Sequence, residues 1–178
     1  TMAVCRRLDI PMAITCGMGG IGDLRGEELC PDLPALMNIP VALISTSPKD
    51  MLDRPATLDW LRRHGVHTAG EPCTGYLFCG EPVALELPLS SCNNEAAVRR
   101  LTANGGLLLL NPIPEKERVQ DRSILVDAIK AGKQAEAEGH YYHPAANGEI
   151  DRRTGGYSSR IQLESIQQNY LLAKSIMD

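Results

Sequence analysis

A chain of 178 residues, 43% of them hydrophobic, is long enough to bury one sizeable core, and with one Phe and one Trp that core must be aliphatic. The net charge of −4 and the pI near 5.6 exclude a sequence-independent nucleic-acid binder, which needs a basic footprint, while leaving room for a nucleotide-sized ligand. No apolar run is long enough to span a bilayer, and the six cysteines (Cys5, Cys16, Cys30, Cys73, Cys79, Cys92) show no CxxC pair or zinc-ribbon spacing, so reduced thiols in a cytoplasmic protein are expected.

In chain order, Thr1–Leu8 reads as the tail of a helix and Ile10–Thr15 as a short buried strand. Cys16–Gly22 (CGMGGIG) follows as a flexible turn, able to bend sharply and approach an anion, or simply to link strand to loop. Asp23–Asn38 is a polar connector in which Glu28 and Asp32 lie four apart; on a helix they would share a face, as a hard cation requires or as a solvated surface allows. The stretch Pro40–Leu52 (PVALISTSPKDML) is central. Val41–Ile44 suits a buried strand, and the spacing predicts a helix starting just after it, with Ser47 as N-cap, Pro48 in the first helical position and Asp50 closing a capping box. Lys49 would then sit at the positive end of a helix dipole, which disfavours an ammonium and favours the free amine of a nucleophile. A solvated lysine in a first turn is the plainer alternative.

Asp50–His64 continues in a loose helical pattern, interrupted by Pro55, and Val66–Ala69 reads as a further strand. Strand–helix–strand order points to a parallel sheet. Glu71–Pro88 is turn-rich, with Tyr76–Phe78 as an edge element. Asn93–Ala103 reads as a helix, and Gly105–Leu110 as a buried strand ending at Asn111–Glu115, the kind of strand end where ligands collect. Arg122–Glu138 is a strong amphipathic helix, Gly139–Asn147 a loop, and Ser158–Met177 a final helix. The pairs His64/His67 and His140/His143 present no fixed ligand face. The chain opens Thr1-Met2, so a processed polypeptide or part of a longer protein is expected, and an N-terminal threonine nucleophile is a remote alternative.

Eight segments, in order and covering essentially the whole chain, carry a family resemblance: Thr1-Met2, ITCGMGG at Ile14–Gly20, Arg25-Gly26, Pro31–Leu33, PVALISTSPKDMLD at Pro40–Asp53, DWLRRHGV at Asp59–Val66, GGLLLLNPIPE at Gly105–Glu115 and TGGYS at Thr154–Ser158. Together they resemble the pseudouridine-5'-phosphate glycosidases, the group that includes the indigoidine-cluster A proteins. The resemblance implies a three-layer α/β/α fold with a mostly parallel or mixed sheet, a homotrimer, and reversible cleavage of pseudouridine 5'-phosphate to uracil and ribose 5-phosphate. It places Lys49 as the nucleophile that holds the opened sugar covalently. It also implies a divalent metal, usually manganese, at Glu28, with substrate contacts at Thr15, Cys30, Pro31, Asp32 and Gln168. Glu28 is longer than the family's usual Asp, and Cys30-Pro31 stand where the family has small residues. Leu24 replaces a His. In the last helix, which the resemblance turns toward the active site, Gln168 replaces one of two adjacent Asn while Asn169 keeps the other, and Gln162 is placed to reach the pocket. The family's general-acid Glu and phosphate-contacting Lys have no counterpart here, so an N-terminal segment or second subunit is expected to supply them. The alternatives are a glycosidase or lyase acting on another sugar phosphate or C-nucleoside, and a non-catalytic truncated relative.

Overall fold

A computed structural model describes residues 1–23 and 29–178. In chain order the elements are α1 (Met2–Arg7), β1 (Met12–Ile14), β2 (Gly17–Met18), α2 (Asp32–Asn38), β3 (Ala42–Ser45), β4 (Ser47–Pro48), α3 (Arg54–Arg63), β5 (His67–Gly70), β6 (Leu87–Pro88), α4 (Glu95–Leu101), β7 (Leu107–Leu110), α5 (Ser123–Ala137), α6 (Tyr142–Arg153) and α7 (Tyr157–Met177). Five strands form a sheet in the order β1-β3-β7-β5-β6 with every pairing parallel, and β2 and β4 form a separate parallel pair.

Alternation along the strands explains the layering, because successive side chains leave a strand on opposite faces. Leu43, Leu108 and Leu110 pack with Met2 and Cys5 of α1, Leu33 and Leu36 of α2, and Leu58 and Leu61 of α3. Ala42, Ile44, Leu107 and Leu109 face the other way, onto Val98 of α4 and Leu172 and Ile176 of α7. A strand covered on both faces needs apolar residues at every position, which is why β7 reads as four leucines. The α/β/α architecture is therefore present, with a parallel sheet in the middle. A third apolar cluster caps the carboxyl end of this sheet, where Tyr76, Leu77, Phe78 and Ile113 meet Leu125 and Ala128 of α5, Ala146 and Ile150 of α6, and Ile161 of α7.

Three local expectations are corrected. The helix after β3 does not start at Ser47: Ser47 and Pro48 stay extended against Gly17 and Met18, and α3 begins only at Arg54. Its cap is Asp53, whose Oδ1 accepts the Ala56 N–H at 2.8 Å, and Pro55 lies in the first turn, where its missing N–H costs nothing. Removing that acceptor with Asp53→Ala is expected to cost about 1 kcal/mol in urea denaturation. Residues 142–147, expected in a loop, belong to α6. Pro144 falls in the first turn of that helix, and Tyr142, Ala146 and Ile150 are buried at helical spacing, Tyr142 so close to α5 that a Cβ at Gly132 would lie 2.6 Å from its ring. Finally, Tyr76–Phe78 is no edge strand but part of the buried carboxyl-end cluster. No helix among the described residues is long and apolar enough to cross a membrane.

Candidate active site

All five sheet strands run the same way, so their carboxyl ends share one rim, the place where α/β sheets gather ligands. Thr15, Thr46 and Asn111 leave β1, β3 and β7 there. The small β2–β4 pair extends this rim and lays the glycine turn beside the lysine turn. The Lys49 N–H donates to the Met18 carbonyl at 3.1 Å, while the Cys16 carbonyl accepts the Thr46 N–H at 2.9 Å and the Ser45 hydroxyl at 2.8 Å. One residue further on, the Gly19 N–H donates to Asp32 Oδ2 at 2.8 Å, and the Cys30 N–H donates to the Gly20 carbonyl at 3.1 Å. A side chain at Gly19 would bring its Cβ to 2.7 Å from Cys30 Cβ, with Cys30 Sγ closer still, so glycine is required for this approach.

Lys49, Cys30, Pro31 and Asp32 are thus laced to one glycine-lined bend, with Pro31 in the N-cap position of α2. Thr15 and Asp32 line a common cleft of about 170 Å³ beside Thr1 and Met2. Lys49 is partly buried and borders a narrow gap formed with Asp50, Tyr76, Leu77, Leu125 and Asn147. Gln168 stands apart from these residues. It is exposed and lines a larger cleft of about 420 Å³ with Asn111, Ile113, Glu117, Glu164 and Ser165. Glu28 and Leu24 lie outside the described residues.

Two residues of α7 expected at the pocket are committed to the protein itself. Asn169 is fully buried: its Nδ2 donates to the Thr15 carbonyl at 2.7 Å and to Thr46 Oγ1 at 3.3 Å, and its Oδ1 accepts from Asn111 Nδ2 at 2.9 Å. One amide therefore ties α7 to the ends of β1, β3 and β7. Gln162 accepts the Tyr76 hydroxyl at 3.1 Å and donates to the Ser158 carbonyl. Burial, reinforced by Cys16 nearby, pushes the Tyr76 phenol well above its ordinary value.

Sequence reasoning missed Asp50. Instead of closing a capping box, its carboxylate accepts three successive backbone amides, Tyr76 at 2.8 Å, Leu77 at 2.7 Å and Phe78 at 3.1 Å, with Arg54 Nη1 at 3.8 Å. Burial outweighs these donors and pushes the Asp50 carboxyl above the usual carboxylate range. Of the histidines, His64 stacks on Trp60 and His67 faces Glu86, so that pair diverges. Among the described residues no three His, Cys, Asp or Glu side chains gather as a cation requires. Asp32, with one oxygen held by the Gly19 N–H, does not make a metal site alone.

Residues 1–177 match the family described as Indigoidine synthase A like protein. The chain belongs to this family. Among indigoidine synthase A like relatives, it is 30% identical over 190 residues to the pseudouridine-5'-phosphate glycosidase of Methylobacterium nodulans, a match covering 99% of this chain and 56% of the relative. It is 28% identical over 195 residues to the enzyme of the same name from Escherichia coli, covering 99% and 60%. Two solved structures share the fold: the prealnumycin C-glycosynthase AlnA in complex with ribulose 5-phosphate (TM-score 0.75, 24% identity, 99% of this chain and 63% of that one) and an indigoidine synthase A-like protein from Thermotoga maritima (TM-score 0.75, 21% identity, 99% and 61%). The chain therefore spans less than two thirds of the length of these curated relatives.

Proposed function

We propose that this chain provides the lysine-bearing part of a C-glycosidase that reversibly cleaves pseudouridine 5'-phosphate to uracil and ribose 5-phosphate. The observation that supports this reading is the hydrogen-bonded lacing of the Lys49 turn, the glycine bend and Asp32 on one sheet rim. A C–C glycoside has a poor leaving group, so the chemistry needs an electron sink. Lys49 Nζ bonds to the anomeric carbon as its bond to the ring oxygen breaks, and the ring oxygen takes up a proton. The nitrogen lone pair then forms an iminium while the bond from the anomeric carbon to the base breaks, and the base carbon accepts a proton. Water hydrolyses the iminium, freeing ribose 5-phosphate and restoring the amine.

In this scheme Thr15, Asp32 and the Gly19 bend hold the sugar, and Cys30 and Pro31 form its wall. The proton for the departing base is assigned to a segment or subunit outside residues 1–178. A divalent ion such as manganese at Glu28, a trimeric assembly and a cytoplasmic site of action belong to the same proposal. Metal analysis and sedimentation of the purified protein test the first two. For the chemistry, the test is incubation with ribose 5-phosphate and borohydride followed by peptide mapping. A single reduced sugar on Lys49 is expected; no adduct, or equal labelling of several exposed lysines, overturns the reading.

Cys30 and Gln168 support a second reading, in which the same lysine acts on a different C-nucleotide or sugar phosphate. Cys30 packs directly on Gly19, and Gln168 faces a separate cleft that a bulkier base could reach. Uracil release from pseudouridine 5'-phosphate, measured beside a panel of other nucleotides, separates the two.

A further inference from the structure

We infer that Asp50 is a positioning residue for Lys49: its carboxylate clamps the 76–78 segment onto the lysine turn and so sets the approach of the amine to the sugar. The inference rests on the proposed role of Lys49 and deepens it. Asp50 is next in the chain to Lys49, and its side chain is only 6% exposed. Three consecutive amides from residues 76–78 converge on its two oxygens at 2.7–3.1 Å, a cradle that holds an anion in one orientation.

The clamped segment reaches the rest of the site. The Tyr76 ring lies against the glycine bend, where a Cβ at Gly17 would come within 2.8 Å of its Cε1, and the Tyr76 hydroxyl donates to Gln162 of α7. Gly17 in turn pairs with Ser47, two residues before Lys49, which closes a loop of contacts around the lysine turn. Tyr76 and Leu77 also border the same narrow gap as Lys49. A buried carboxylate whose nearest guanidinium nitrogen is 3.8 Å away is costly to desolvate, and burial pushes its carboxyl upward in spite of three donors.

The test compares the rate of borohydride-trapped adduct on the purified chain across ribose 5-phosphate concentrations for wild type, Asp50→Asn and Asp53→Ala, with melting temperatures measured alongside. Asp50→Asn keeps the shape but faces an amino group toward amide donors. It is expected to lower the maximal trapping rate roughly 30- to 100-fold with the half-saturating concentration unchanged. Asp53→Ala weakens the helix cap in the same turn and is expected to melt earlier yet trap at the wild-type rate. Trapping by Asp50→Asn at the wild-type rate overturns the inference, as does a loss confined to half-saturation or a loss that Asp53→Ala shares in proportion to its melting temperature. If Asp50→Asn does not fold, Tyr76→Leu decides instead: it removes the ring from the glycine bend and is expected to trap roughly 10-fold more slowly, and an unchanged rate overturns the inference. Absence of any adduct in wild type counts against the role of Lys49 itself, so the two failures are distinguishable.

Discussion

Lys49→Arg is expected to abolish the trapped adduct while leaving the fold intact. Arginine keeps the positive charge and nearly the length of lysine, so a lysine that served only to attract an anionic sugar phosphate would be replaced with modest loss. A guanidinium, however, is always protonated and has no lone pair for an anomeric carbon. A nucleophilic role therefore predicts a fall of at least ~10³-fold in the adduct-forming rate, with sugar phosphate binding largely kept. The folded state should barely notice. Among the described residues the hydrogen bonds that Lys49 makes are backbone ones, its N–H to Met18 and its carbonyl to the Leu52 N–H at 3.0 Å, and arginine retains both. A stability change within about 0.5 kcal/mol is expected. Adduct formation at near wild-type rate by Lys49→Arg, with another lysine labelled, would move the nucleophile elsewhere.

The second large effect is expected from Asn169→Ala, and it falls on stability. Removing this fully buried amide takes a partner from the partly buried Thr15 carbonyl and Asn111 amide and leaves a void between α7 and the sheet rim. Unsatisfied buried polar groups and a cavity together predict a loss on the order of 3 kcal/mol in urea denaturation. Gln168, the next residue back, is exposed, so Gln168→Ala is expected to change stability by no more than about 0.5 kcal/mol and to act on ligand preference alone. A small effect at Asn169, or a large one at Gln168, would show that the amide network is not what joins α7 to the strand ends.

These neighbours illustrate how far a sequence carries. Adjacent amides in one helix look alike on paper, yet helical geometry turns them about 100° apart, and only the packing of α7 against β1 and β3 decides which is buried. The lysine turn posed the same problem. Ser47-Pro48 and Asp53 with Pro55 both carry start signals for a helix, and local chemistry ranks them equally. The choice was made by Gly17 and Met18, which hold Ser47 and Pro48 extended from a point thirty residues earlier in the chain. The role of Asp50 is hidden for a related reason, since the amides it binds belong to residues 76–78 and nothing near it in sequence announces them. Residues 142–147 read as a loop because His143 and Pro144 stand between Gly139 and Gly148, whereas the burial of Tyr142, Ala146 and Ile150 at helical spacing against the core makes them a helix.

By itself the sequence determined the layered α/β character of the protein, its aliphatic centre, the strand of four leucines, the long helices α5 and α7, and membership of its family. The strands, the helices and the aliphatic centre rest on periodicity or composition, which act locally and repeat along the chain; the layering and the family rest on the resemblance carried by eight segments. The tertiary structure alone decided where α3 begins, which amide of α7 is buried, and which backbone donors meet Asp50. Those outcomes depend on hydrogen bonds between segments distant in sequence, and a buried polar group takes whatever partner the fold brings to it.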